Sequence, residues 1–380
     1  MHRSACQAWV IGACGRSARR LPSPCLDAAT DCRPSGRRWL ADSIVWFALI
    51  GTCVTAFWAV PPAARGAEPK VLLSDLADPC GIAVDPSSDS IYVSEHAAGR
   101  VVRVVGEQAE PVIVDFPLQS PRRGPLFGTG PLGLAMIGDN GLLVGRGGDA
   151  EAGATISLFR LPGPGESPVS ASMPAQSLGP LAGPGTTTQA AGYFAIVFDY
   201  DTLLATARGD DRKGWIGKAT AANSGFRPLE PFLPATELAN VDAPTGIAIN
   251  GYGHVVVSQA GGDSADADSL LAFYELKTGS LLMQLPTMLY DLVAIAYSPN
   301  GQLYGLDFAR RKPEAGGLFR LEAMTDLAGR QALQATRLAS LVRPTALAFR
   351  KDGALLVSTL GRESEGGERS GKLWLFPAGF

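Results

Sequence analysis

Six residues stand where an apolar run gives way to a polar loop: Glu95, Arg146, Arg208, Gln259, Asp307 and Thr359. Carboxylate, guanidinium and amide groups gathered round one opening can grip a small polar molecule such as a sugar or a carboxylate. The same mixture can also neutralise itself as a structural network. His96, beside Glu95, offers either a general base that titrates near neutrality or an imidazole held in place by its neighbours. Which reading holds depends on whether the chain brings these positions together.

Other chemistry is sparse. Beyond residue 67 the sequence has histidine only at His96 and His254, and cysteine only at Cys80, which reads as a buried thiol at a strand start. There is no serine nucleophile elbow, no paired zinc-type set and no phosphate-cradling glycine loop, so no cofactor is expected. Asp263, Asp266 and Asp268 form an acidic loop without the spacing of a recognised calcium loop.

The elements that carry these residues repeat. Gly81-Ile82-Ala83-Val84, Gly133-Leu134-Ala135-Met136, Phe194-Ala195-Ile196-Val197, Gly246-Ile247-Ala248-Ile249, Ala294-Ile295-Ala296-Tyr297 and Ala346-Leu347-Ala348-Phe349 are separated by 52, 61, 52, 48 and 52 residues. A period near 50 marks an array of one supersecondary unit. Each phrase is followed by a second apolar run such as Ile91-Tyr92-Val93-Ser94 or Val255-Val256-Val257-Ser258, and turn formers such as Pro299-Asn300-Gly301 and Lys351-Asp352-Gly353 fill the gap. A third run alternates, as in Leu318-Phe319-Arg320-Leu321, and a fourth closes the unit, as in Leu281-Leu282-Met283-Gln284-Leu285. Four antiparallel strands per repeat predict an all-β chain, a six-bladed β-propeller.

The sixth repeat stops after its third strand, whereas Val71-Leu72-Leu73-Ser74-Asp75-Leu76 precedes the first repeat without a partner. Pairing that segment with Leu373-Trp374-Leu375-Phe376 would complete the last blade and remove an exposed edge. The segment from Asp78 to Asp85, with Ile91 to Glu95 and Gly99 to Val104, resembles an NHL-type repeat. About 310 residues are similar to the broad group of six-bladed propellers that includes gluconolactonase-like proteins of the SMP-30 type. The resemblance implies a fold more than a chemistry.

Residues 1–67 read as a leader and residues 68–380 as the propeller. The leader holds eight arginines, three aspartates and five of the six cysteines. Arg37-Arg38 precede an apolar run over 43–60, and a small-residue stretch ends at Ala67, the pattern of an export signal. An uncleaved anchor is the alternative and the one route to the membrane. The remainder has 25 basic and 33 acidic residues, a net charge of minus eight, which argues against a nucleic-acid partner. The expected localisation is periplasmic or extracellular.

In such a ring the loops between second and third strands share a face with the links between blades, and ligands gather there. The reading is an exported binding protein holding a small polar ligand or an extracytoplasmic protein, with Glu95, His96, Arg146, Arg208, Gln259 and Asp307 as candidate contacts. The alternative is a metal-dependent lactonase. The resemblance implies a divalent cation held by acidic and asparagine side chains at inner-strand starts. Here those places carry Cys80, Leu132, Tyr193, Thr245, Val293 and Thr345, which are not a set of hard oxygen ligands, so no metal is expected.

Overall fold

A computed structural model describes residues 68–118, 128–148, 153–182, 189–209, 214–223, 225–240, 244–262, 266–326, 328–361 and 370–379. An N-terminal strand, β1 (Lys70–Leu76), precedes six repeats. Blade 1 is β2 (Pro79–Val84), β3 (Ile91–Glu95), β4 (Arg100–Val105) and β5 (Gln108–Val114). Blade 2 is β6 (Pro131–Ile137), β7 (Gly141–Arg146), β8 (Ile156–Arg160) and β9 (Gln176–Leu178). Blade 3 is β10 (Gly192–Asp199), β11 (Thr202–Arg208), β12 (Gly214–Ala222) and β13 (Glu230–Leu233). Blade 4 is β14 (Pro244–Ile249), β15 (His254–Gln259), β16 (Leu270–Glu275) and β17 (Leu281–Pro286). Blade 5 is β18 (Leu292–Tyr297), β19 (Leu303–Asp307), β20 (Gly317–Thr325) and β21 (Gln331–Ser340). Blade 6 is β22 (Pro344–Phe349), β23 (Leu355–Thr359) and β24 (Gly371–Phe376), completed by β1.

The expected six-bladed propeller is therefore the fold, and the expected closure holds. Strand β1 runs antiparallel to β24, with Lys70 opposite Leu375, Val71 opposite Trp374 and Leu76 opposite Gly371. Two short pairings extend the plan: Val169–Ser170 joins β5 in parallel, and Gly225–Phe226 joins β12. A single turn of helix, Ala235–Ala239, lies between β13 and β14.

Local sequence explains the hairpins. The first and second strands of every blade are joined through one residue in the left-handed region: Asp89, Gly138, Tyr200, Gly253, Gly301 and Gly353. Glycine adopts this conformation without steric cost, and the first strand of the hairpin then folds back along its neighbour. Blade 3 uses Tyr200 instead, at φ 53°.

The second strands lie in the middle of their sheets, and β3 and β23 are buried along their whole length. Both of their faces are covered by neighbouring blades, so their sequences read as continuous β-branched and leucine runs. Six hydrophobic clusters fill the six seams between successive blades. The seam between last and first blade is as well filled as the rest, with Leu73, Ile82, Val93, Val102, Leu356 and Leu373 packed together.

Candidate functional site

The innermost strands β2, β6, β10, β14, β18 and β22 pack against one another around the ring. Each enters its sheet through a bulge. In blade 1 Pro79 faces Glu95 and Gly81 faces Ser94, so the register shifts at Cys80. The same irregularity falls at Leu132, Phe194, Thr245, Val293 and Thr345. A residue at a bulge is re-aimed away from the regular ladder. All six line one central cavity of about 410 Å³.

Blade 3 corrects the sequence expectation by one residue. Tyr193 pairs with Ala207 and is buried between blades 2 and 3, where loss of water pushes its hydroxyl pKa upward. Phe194 takes the channel position instead. The reason is that β11 ends one residue later than its counterparts, with Arg208 opposite Gly192.

At and beside the bulges, side-chain hydroxyls of first and second strands latch adjacent blades. Ser94 Oγ accepts the Gly81 amide at 2.8 Å and donates to the Leu132 carbonyl at 2.7 Å. Thr206 Oγ1 accepts from Ala195 and donates to the Thr245 carbonyl at 3.0 Å. Thr245 Oγ1 donates to Leu292 at 2.8 Å, and Thr345 Oγ1 to Pro79 at 2.6 Å across the closing seam. The blades approach so closely here that a Cβ on Gly81 would lie 2.2 Å from the Leu132 oxygen.

The cavity wall is mainly apolar. Among the described residues three charged ones line it, Arg208, Asp291 and Arg310, and all three belong to the end where second strands finish and first strands begin. Val197, Ile249 and Tyr297 line its other end. Asp291 Oδ2 accepts the Arg310 amide at 2.6 Å, which fixes the loop after β19 against the strand start of β18.

Of the sequence candidates, Arg208 alone lines this cavity. Glu95 is 1% exposed; it accepts the Ala77 amide at 2.8 Å and Arg100 Nε at 2.5 Å. Gln259, fully buried, donates to the Ala235 carbonyl at 3.2 Å. Asp307 takes amides from Tyr290, Asp291 and Ala309, and burial pushes its carboxyl above the usual range, aided by the nearby Asp291. Arg146 Nε donates to Thr155 at 2.7 Å, and Thr359 accepts Trp374 Nε1 at 3.2 Å. Glu95, Gln259 and Asp307 thus pin the chain that enters their own blade, because buried amides and carbonyls there need partners.

His96 has a comparable place. Its Nε2 accepts the Gly128 amide at 3.1 Å, so Nδ1 carries the proton and faces the Pro131 carbonyl at 3.3 Å. Burial lowers its pKa, against the opposing pull of the Pro131 contact. The acidic-loop residue Asp263, most of the long second-to-third-strand loops and residues 119–127 lie outside the described residues. Asp268 accepts the Gly262 amide at 3.1 Å.

The described lining of the channel does not fit a hard divalent cation. Such an ion takes six or more oxygen ligands, commonly carboxylates. The bulge ring offers Thr245 and Thr345 hydroxyls already committed to neighbouring carbonyls, and its other members are Cys80, Leu132, Phe194 and Val293. Among the described residues no group of three histidine, cysteine or acidic side chains converges on one point.

No family model and no curated protein matches the chain, so the NHL-type pattern rests on residues 78–104 themselves. Solved structures do match in fold. The PQQ-bound aldose sugar dehydrogenase of Streptomyces coelicolor aligns at TM-score 0.52 and 18% identity, over 81% of this chain and 97% of that one. A gluconolactonase of Xanthomonas campestris aligns at 0.52 and 14%, over 83% and 91%. A luciferin-regenerating enzyme aligns at 0.53 and 12%, over 82% and 96%. At such identities the likeness is one of fold alone. The chain is accordingly a six-bladed β-propeller whose structural neighbours include gluconolactonase and luciferin-regenerating enzyme.

Proposed function

We propose that the domain is an exported binding propeller whose ligand space is the central channel. One observation carries this reading: a central channel of about 410 Å³, ringed by six residues at bulges, with the charges of its described lining at one end. Cavities of roughly 300–1,000 Å³ with apolar walls and a few placed polar groups are the usual form of a small-molecule site. The export half of the reading is supported by the basic, apolar and small-residue order of the leader and by the single cysteine beyond it.

Cys80 supplies the test, since it is half-buried and lines the cavity. Alkylation of Cys80 in the full-length protein, followed by peptide mass spectrometry, reports occupancy. Members of a small-molecule library that bind in the channel slow labelling at least fivefold and raise the thermal midpoint. A library without any such compound overturns the channel reading.

A second reading, opening of a lactone, draws on the likeness in fold to gluconolactonase. It requires cation donors that the described channel residues do not offer. Assay of lactone hydrolysis with added calcium, magnesium, manganese or zinc decides it: cation-dependent turnover would replace the binding reading with an enzymatic one.

A further inference from the structure

We propose that the outer edge of blade 5 is an assembly surface, on which β21 pairs antiparallel with β21 of a second copy across a twofold axis. Six strands form the outer rim of the ring, and five of them have edges that resist pairing. β5 contains Pro111 and is covered at Ile113 and Val114 by Val169–Ser170. β9 has three residues, β13 has four including Pro231, β17 closes on Pro286, and β1 is broken by two register shifts. Short length, proline, cover and bulges are the usual protections of an edge. β21 is ten residues long, lacks proline and carries one charge, Arg337. Seven successive pairs, from Arg337 opposite Phe319 to Gln331 opposite Thr325, hold it against β20 without a shift.

Burial points the same way. Every other rim strand anchors at least one side chain in the core: Val112 in β5, Leu178 in β9, Leu233 in β13, Leu285 in β17 and Leu73 in β1. β21 anchors none, although Leu333, Ala335, Leu338 and Ala339 are apolar and half-buried. Its neighbour β20 also outruns the blade, because β19 begins at Leu303 opposite Leu321. Glu322 to Thr325 and Gln331 to Gln334 therefore form a two-stranded arm, with Met324 43% exposed. Such a ribbon is marginal in water by itself.

The ladder fixes the register of the second copy. The Asp326 amide donates to the Arg330 carbonyl at 2.8 Å. An antiparallel ladder alternates from that closing pair, so Ala332, Gln334 and Thr336 turn their backbone groups to β20, while Leu333, Ala335 and Arg337 turn theirs outward. Among the described residues none of these three outward amides has a backbone partner. A twofold axis through Ala335 sets outward residues against outward residues: Ala335 against itself, and Leu333 against Arg337 of the other copy. The single charge of the strand then meets no like charge, and the contact has the self-complementary form of a closed dimer.

Sedimentation of the full-length protein up to about 0.2 mM measures the association, a range set by the small area of one strand pair. The expected result is a dimer in which hydrogen exchange over residues 331–340 slows at least about tenfold as concentration rises. Ala335→Pro removes an outward amide and spares the β20 ladder, so it should weaken dimerisation at least about tenfold while far-UV circular dichroism is unchanged. Ala335→Cys should cross-link to itself under mild oxidation, because opposed residues of a hydrogen-bonded pair stand about 5.5 Å apart, within reach of a disulfide. Peptide mass spectrometry identifies that link apart from the native cysteines. A protein that stays monomeric overturns the proposal. So does a dimer whose exchange over 331–340 is independent of concentration and whose Ala335→Cys variant gives no peptide linked through that position, whether or not Ala335→Pro folds.

Discussion

Arg350 donates Nε to Asp89 Oδ2 at 2.7 Å, joining residues 261 apart in the chain. The two lie at the hairpins of the last and first blades, and the carboxylate raises the guanidinium pKa. Together with Thr345 and Pro79 near the strand starts, this pair fastens the closing seam at both ends. Partial exposure limits what it contributes, so Arg350→Ala is expected to destabilise by about 1 kcal/mol or less. A double-mutant cycle with Asp89→Ala, read by denaturant unfolding, should recover most of that as coupling. Additive effects would show that the pair does not hold the seam.

Gly81→Ala forces a Cβ into the Leu132 carbonyl oxygen, which is backbone and cannot swing aside. The expected loss is about 1–3 kcal/mol from overpacking. Ser94→Ala should cost a similar amount, on the order of 1–3 kcal/mol, by leaving the Gly81 amide and the Leu132 carbonyl without the hydroxyl that joins them. Urea unfolding of both variants, compared with Ser87→Ala at an exposed turn, measures the difference.

Tyr200 holds a left-handed conformation at φ 53° with its side chain 93% exposed. An aromatic residue is strained there and this one has little packing to offset the strain. Tyr200→Gly is therefore expected to stabilise by roughly 1 kcal/mol, net of the added freedom of the unfolded chain. Thermal unfolding that moves downward instead would assign the tyrosine a contact that outweighs its backbone cost.

His96 should make stability depend on pH. Its folded pKa lies below the ordinary 6.5, chiefly through burial, so the unfolded chain binds the proton more readily. Stability from this residue is complete above pH 6.5 and is lost as pH falls through 6.5 towards the folded value. Protonation also abolishes acceptance of the Gly128 amide by Nε2. His96→Gln should flatten the stability profile between pH 7.5 and 5, and an unchanged slope would place the pH sensitivity elsewhere.

Much of the architecture could be read in advance because it is written in local signals. Apolar runs, turn residues and the unpartnered Val71–Leu76 segment each carry their own periodicity, and strands buried on both faces cannot disguise it. The site was less legible for a geometric reason. Side-chain direction in a strand reverses with every residue, so a bulge or one added residue moves a group to the opposite face. That shift put Phe194 in place of Tyr193 and turned Arg208 to the channel. Glu95, Gln259 and Asp307 looked like rim groups because their polarity was visible, while their backbone partners at Ala77, Ala235 and Tyr290 were not. Arg310 and Asp291 flank strand ends in blade 5, and only the bulge register distinguishes such positions from ordinary loop charge.

The clasp between β1 and β24 imposes a schedule on biosynthesis. The first strand of the propeller to leave the ribosome is the last to find its partner, after about 300 further residues, or roughly 15–60 s at ordinary elongation rates. Throughout that interval Lys70–Leu76 is an uncapped β edge carrying Val71, Leu72 and Leu73, the kind of segment that a holding chaperone must shield until translation ends.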